Sequence, residues 1–243
     1  MKKVLCLVLA ALMIVGLVSC KKEKDINAKG KGVMTYAEYE KAAIDDPVVI
    51  EAYVQGKQSW WEDKATLYLQ DGDGGYFVYN CKCSEADYAK LVPGTKVKVT
   101  GVKANYADEI EIADGEFQIE TDVTYIAEAT DLTSKLATDD IVKYQNMFAS
   151  FKGLTVEPIK DGDGVEHAWI YNWDGSGEEG SDIYFNVSID GKTFQFLIES
   201  YLCDSSTEVY KAAKELKIGD KIDVEAFVYW YNGVNPHVTK ITK

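Results

Sequence analysis

Apolar and polar residues alternate along most of the chain after residue 47, and this pattern predicts short β-strands separated by turns. In the first half, Thr35 and Glu38 form a capping-box pattern that predicts the start of a helix. The predicted elements are a helix from Thr35 to about Ile44, strands at 48–54, around Leu67 and Leu69, and at 76–81, a helix at 84–91, a strand through 97–102 with a bend at Gly101, and a hairpin over 108–120 that turns at Asp114–Gly115.

The second half of the chain repeats this order of elements. The predicted elements are a helix over 138–150, a strand with Leu154 and Val156, a hairpin of 183–189 and 192–199 about Asp190–Gly191, a helix opened by Ser205 and Glu208, a strand over 222–230 that includes Trp230, and a last strand from the Asn232–Gly233 turn to Ile241.

A local sequence match supports an internal duplication. The run Leu91–Val99 matches Leu216–Val224 at an offset of 125 residues, and Tyr106 then falls on Tyr231. Strand, hairpin, helix, strand, strand is the order of an OB-fold, a five-stranded, partly open barrel. The sequence therefore predicts an all-β protein with short helices, built as two tandem OB-fold-like five-stranded barrels over residues 33–132 and 138–243.

Two runs carry a resemblance to a known family. Both halves resemble the OB-fold domains of secreted bacterial lipoproteins, most clearly in the runs at 67–78 and 93–101. These runs are structural, so the resemblance implies no binding residues. The second half departs from the first by an inserted loop over 169–181.

The N-terminus predicts a membrane anchor. Met1–Lys3 is positive, and the fifteen residues from Val4 to Val18 are apolar but too few to span a bilayer. The ending Leu17-Val18-Ser19-Cys20 resembles the lipobox of bacterial lipoproteins. This implies removal of residues 1–19, acylation of Cys20 with chains such as palmitate, and a location at the bacterial cell membrane or cell surface. The alternative to a lipobox is an ordinary secretory signal peptide with an incidental cysteine. Residues 20–32 are polar and lysine-rich, which predicts a flexible tether.

The amino-acid composition limits the kinds of partner that the chain is expected to bind. The chain carries a formal charge of −14, and all 26 of its basic residues are lysine. Nucleic-acid binding is a further alternative that the OB-fold suggests by analogy alone. Because such binding rests on neutralising phosphates, often with arginine, the charge disfavours it, and the sequence predicts no nucleic-acid partner.

The residues that could carry chemistry are few. The two Asp-Gly-Asp-Gly runs, at Asp71/Asp73 and Asp161/Asp163, lack the later ligands of an EF-hand, so they predict turns, with weak calcium binding as the alternative. Three cysteines fall in the predicted domains, namely Cys81, Cys83 and Cys203, and are expected to be free thiols, with a redox pair as the alternative. We expect no cofactor, no metal and no enzymatic activity.

The tryptophans are the strongest candidates for a binding site. They cluster in the loops after the first strand of each barrel and near the last turn, where OB-folds hold ligands. The predicted ligand-binding residues are Trp60, Trp61, Trp169, Tyr171, Trp173, Trp230 and Tyr231. They predict a binding module for carbohydrate or peptide; the alternative is an adaptor that binds another envelope protein. Tryptophans that plug the barrel ends are a further alternative, above all at Trp230.

Overall fold

The structure is a computed structural model that describes residues 25–243, apart from the side chains of residues 121 and 122. The predicted signal peptide and Cys20 lie outside this range. The elements of the first half are α1 (Tyr36–Lys41), β1 (Pro47–Lys57), β2 (Lys64–Gln70), β3 (Gly75–Lys82), α2 (Glu85–Tyr88), β4 (Thr95–Tyr106) and β5 (Glu109–Thr124).

The first half is a closed barrel with the strand order β1-β2-β3-β5-β4, in which β3 and β5 run parallel. Alternate residues of each strand fill its interior, as the sequence pattern predicts. Local signals are confirmed at both helices. The side chains of Thr35 and Glu38 form the capping box of α1, and Ser84 accepts a hydrogen bond from the backbone N–H of Asp87 at the start of α2.

The predicted turn at Asp114–Gly115 is wrong. The reversal between β4 and β5 lies at Ala107 and Asp108, both with positive φ, and β5 runs straight through residues 114 and 115. There the register shifts, so that Thr100 pairs with Glu116 and Val102 with Ala113. The Asp-Gly pair is therefore a β-bulge opposite Gly101, where an added Cβ would lie 2.7 Å from the carbonyl oxygen of Ala113.

The second half contains a 3₁₀ helix at Asp139–Tyr144 and one α-helix in its described residues. Its elements are β6 (Thr130–Asp131), β7 (Phe148–Glu157), β8 (Ile159–Lys160), β9 (Glu166–His167), β10 (Ile170–Tyr171), β11 (Ile183–Ile189), β12 (Lys192–Ile198), α3 (Glu208–Lys214), β13 (Lys221–Phe227) and β14 (His237–Thr242).

A second barrel forms from β11, β12, β14, β13 and β7, and the pairing of β11 with β7 closes it. Both halves are thus five-stranded barrels, and the predicted fold class is confirmed. Several details differ. The helix expected over 138–150 is a short 3₁₀ helix at Asp139–Tyr144, and β7 begins at Phe148. The cap of α3 is Thr207, whereas Ser205 was expected, and β13 ends at Phe227, before Trp230. Strand β6 pairs with β7, so the second sheet begins inside the range predicted for the first domain.

Part of the predicted tether is ordered against the first barrel. The ammonium group of Lys29 forms a salt bridge with the fully buried Asp71 and donates to the carbonyl oxygen of Glu51 at 2.6 Å. The hydroxyl of Tyr53 donates to the carbonyl oxygen of Ile26 at 3.1 Å. Ile26 and Lys29, within the predicted tether, therefore contact the first barrel.

The two barrels meet through an aromatic cluster on the outer face of β2 and β3. Tyr68 and Phe77 are buried there against Phe227, and the rings of Tyr68 and Phe227 stack with centroids 4.5 Å apart. Phe148, Leu202 and Tyr229 pack around them. OB-folds place ligands on this strand face. In the first barrel it is covered by the second barrel.

Hydrogen bonds also join the two barrels beside the aromatic cluster. The side-chain oxygen of Gln70 accepts from the N–H of Phe148 at 2.7 Å, and Glu109 accepts from the N–H of Trp230 at 2.9 Å. The hydroxyl of Tyr68 lies 2.7 Å from Nδ1 of His237, whose pKa is lowered to about 3 by burial, so this imidazole is neutral. Burial raises the pKa of Glu109 well above its ordinary value. The interface thus holds His237 in its neutral form and disfavours the charged form of Glu109.

Glu199 lies beside the same contact. Its carboxylate accepts from the N–H groups of Tyr201 and Leu202, and the carbonyl oxygen of Tyr201 accepts from the N–H of Ser59 in the other barrel at 2.8 Å. Burial, with the charge of Asp182, raises the pKa of Glu199 from 4.5 to about 7.

We expect Glu199→Gln to change how stability depends on pH. Because the folded pKa is raised, the folded state keeps a proton that the unfolded state releases between pH 4.5 and 7, and this stabilisation is lost as the pH rises. Relative to Glu199→Gln, the wild type should therefore lose up to about 3 kcal/mol of unfolding free energy over that range. Urea unfolding of both proteins at several pH values measures the difference in their unfolding free energies. His237 contributes in the opposite direction, but it is present in both proteins, so its contribution cancels in the difference. Parallel pH curves would contradict the assignment.

Candidate functional site

The tryptophans of the first barrel separate into a structural and an exposed residue. Trp60 packs against the barrel core, and its indole N–H donates to the carbonyl oxygen of Cys83 at 2.8 Å. Trp61 is 69% exposed at the turn before β2, where it pairs with Lys64. Trp60 is therefore part of the packing, and Trp61 alone offers a free ring.

The loop after β7 forms a small hairpin in the second barrel. The carboxylate of Asp161 accepts from the N–H groups of Asp163 and Val165 through one oxygen, while its other oxygen lies 2.8 Å from Nε2 of His167. The hydrogen bond with His167 and those with the backbone lower the pKa of Asp161. This carboxylate is therefore ionised and is held beside the imidazole.

A cavity of about 450 Å³ opens next to this pair. Trp169 and Tyr171 form its aromatic wall, with ring centroids 5.0 Å apart in an edge-to-face arrangement, and the indole N–H of Trp169 donates to the carbonyl oxygen of Lys214 at the end of α3. The full lining is Asp161, His167, Ala168, Trp169, Ile170, Tyr171, Gly175 and Leu216. The cavity thus joins two aromatic rings to a histidine–carboxylate pair.

The segment that surrounds the cavity is acidic. Residues 161–182 contain seven aspartates and glutamates and no lysine. Lys214 reaches this segment from α3 and pairs with Glu179, which also accepts from the hydroxyl of Tyr171. Burial and the neighbouring Glu179 raise the pKa of Tyr171 to about 12, so its hydroxyl stays protonated. The cavity therefore favours positive charge in its occupant.

The seven predicted site residues do not form one site. Trp169 and Tyr171 share the cavity, and Trp173, 70% exposed, follows on the same loop. Trp230 is buried in the core of the second barrel, as the plugging alternative predicts. Tyr231 lies at the boundary between the barrels, with its ring centroid 6.2 Å from that of Tyr106.

Three residues of this cavity were not predicted as site residues. Nothing in the spacing of Asp161 and His167 shows that a hairpin turns the two side chains toward each other. Leu216 arrives from the end of α3, 47 positions after Trp169. The acidic run over 161–182, which is visible in the sequence, was the available signal.

The other residues that could carry chemistry either have partners within the fold or are buried. Asp71 bonds Lys29 and the hydroxyl of Tyr76. The thiols of Cys81, Cys83 and Cys203 are free and buried, and burial raises the pKa of Cys81 and Cys203 to about 12.

In residues 25–243 no group of three His, Cys, Asp or Glu side chains is arranged to hold a metal ion. No helix in that range is long and apolar enough to cross a membrane.

Comparison with known proteins finds likeness among solved structures. No family model and no curated protein matches the chain. A murine DNA binding protein bound with double-stranded DNA is 12% identical, with a TM-score of 0.35, over 82% of this chain and 97% of that one. A HINa domain in complex with 20 base pairs of double-stranded DNA is 10% identical, with a TM-score of 0.35, over 83% and 97%. A HINb domain is 13% identical, with a TM-score of 0.34, over 81% and 94%.

These structures correct the predicted function and partners. Two of the three hold double-stranded DNA, which contradicts the expectation of a carbohydrate- or peptide-binding module, or an envelope adaptor, with no nucleic-acid partner. None of those predictions is kept. At 10–13% identity, the ligands of these domains are not transferred to this chain.

Two tryptophan variants separate packing from surface roles. We expect Trp60→Ala to cost about 3 kcal/mol of unfolding free energy, because it removes core contacts and leaves the carbonyl oxygen of Cys83 without its donor. Trp173→Ala should stay within about 0.5 kcal/mol of the wild type, because its ring is mostly in solvent. Thermal or urea unfolding measures both, with Trp61→Ala as a matched exposed control. A large loss for Trp173→Ala would assign that ring to the core.

Proposed function

We propose that this chain is a non-catalytic binding module, anchored to a bacterial membrane through Cys20, that binds a small organic cation in the cavity beside Trp169. The observation that carries this proposal is the combination of two aromatic rings and an ionised carboxylate in one cavity, within an acidic segment. Such a site attracts an ammonium group through ring faces and through charge.

The size and rigidity of the cavity support the proposal. A volume of about 450 Å³ falls within the range of small-molecule sites. The indole of Trp169 is fixed by its hydrogen bond to Lys214, and Asp161 is fixed by the backbone of its own hairpin. Because little ordering is needed on binding, more of the interaction energy is available as affinity.

The non-catalytic part of the proposal rests on the chemistry of the available groups. A nucleophile needs a lowered pKa or an adjacent base. The three thiols have raised pKa values because they are buried, and the imidazole of His167 is engaged by Asp161. The described residues that line the cavity include no serine, threonine, cysteine or lysine that this imidazole could activate as a nucleophile.

Binding can be tested with benzyltrimethylammonium and its uncharged carbon isostere, neopentylbenzene. We expect the cation to bind more tightly than the isostere, and Asp161→Asn to weaken cation binding about tenfold while keeping the oxygen that accepts from the hairpin backbone. Calorimetry or tryptophan fluorescence measures both affinities.

The controls for this titration use other parts of the surface. Trp61→Ala, an exposed ring on the first barrel, should leave cation affinity unchanged. Equal binding of the cation and the isostere, or no effect of Asp161→Asn, would contradict the proposal. A parallel titration with double-stranded DNA is included, and displacement of the cation by DNA would assign the cavity to nucleic acid instead.

The anchor is tested separately. Cys20→Ala removes the thiol that the lipobox resemblance implies is acylated, so we expect the variant to leave the membrane fraction or to remain as an uncleaved precursor. Fractionation of the expressing bacterium and the mass of the mature chain measure this. A cleaved, unacylated variant that stays with the membrane would contradict the anchor.

A further inference from the structure

The segment before α1 is part of the first barrel. Asn27 accepts from the N–H of Gly72 in the turn between β2 and β3, at 2.8 Å, and the N–H of Gly30 donates to the carboxylate of Glu51 at 3.2 Å. Together with Lys29 and Ile26, these contacts hold residues 25–33 along the barrel surface. We call this segment the strap.

The strap is held most firmly at Lys29. Its side chain is 9% exposed, and its partner Asp71 is fully buried. If the strap were to leave the barrel, Asp71 would lose its counter-charge, which is unfavourable for a carboxylate in the interior. The ion pair therefore opposes detachment of the strap.

A docked strap leaves a short connection to the anchor. Cys20 and Asp25 are five residues apart, and five residues span about 18 Å at full extension. An acylated Cys20 lies at the bilayer surface. The start of the strap must then lie within that distance of the lipid.

The charge of this part of the chain suits the same position. Residues 21–33 contain five lysines and two acidic residues, in a chain whose formal charge is −14. Lys31 is exposed on the strap. Anionic headgroups attract lysines close to the membrane surface. The lysine-rich stretch over 21–33, as a whole, therefore favours the lipid more than the acidic remainder of the chain does.

We propose that the first barrel stands against the bilayer with the strap side, formed by residues 25–33 and the β2–β3 turn, facing the lipid surface. This rests on the anchor at Cys20 in the proposed function. The docked strap then orients the second barrel as well, because the aromatic interface packs it against the first.

The test uses the acylated full-length chain in vesicles of phosphatidylcholine and phosphatidylglycerol, 3:1, with an energy-transfer acceptor on the headgroups. A donor is attached at Lys31→Cys on the strap or at Glu178→Cys on the second barrel, since the native thiols are buried. We expect strong transfer from position 31. A twelve-residue Gly/Ser insertion after Lys24 should lower that transfer severalfold, because it adds about 20 Å of reach.

The outcomes separate the strap from the anchor. Equal transfer from position 31 with and without the insertion, or stronger transfer from position 178, would overturn the orientation while leaving the anchor intact. Wild-type protein that does not float with the vesicles would overturn the anchor, and the orientation with it. Digestion of the full chain with a lysine-specific protease tests docking alone. Cleavage at Lys29 should be at least tenfold slower than at Lys24, and equal rates would overturn the docked strap.

Discussion

The contact of Tyr68 and Phe77 with Phe227 determines what the rest of the molecule can do. Burying these rings covers the outer face of β2 and β3, the surface on which OB-folds hold ligands. This face of the first barrel is therefore covered by the second barrel. The binding proposed above uses another surface, the hairpin loop of the second barrel, which offers a cavity, two aromatic rings and a surplus of negative charge.

Local features of the fold were predictable because a few neighbouring residues determine them. The capping box at Thr35 and the turns at Asp190–Gly191 and Asn232–Gly233 each depend on residues within one turn of chain. The Asp114–Gly115 pair has the same signature as those turns. Its conformation is decided across the sheet by Gly101, so the sequence pattern alone placed a reversal where the strand continues.

The candidate site was only partly predictable for a similar reason. Sequence shows where tryptophans occur, and the loop of Trp169 and Tyr171 was identified in this way. It does not show whether a ring packs inward, and Trp60 and Trp230 both do so. Polar partners distant in sequence, such as Lys214 for the indole of Trp169, become visible only once α3 is placed beside the loop.

The two Asp-Gly-Asp-Gly runs show how partners decide the role of a motif. In both runs the first aspartate accepts hydrogen bonds from the backbone of its own loop, so their local structure is alike. Asp71 also meets Lys29, and its charge is matched inside the fold. Asp161 meets His167 at the edge of a cavity, where an incoming cation can share its charge. The same four-residue motif thus holds the strap on one barrel and contributes a carboxylate to the proposed binding site of the other.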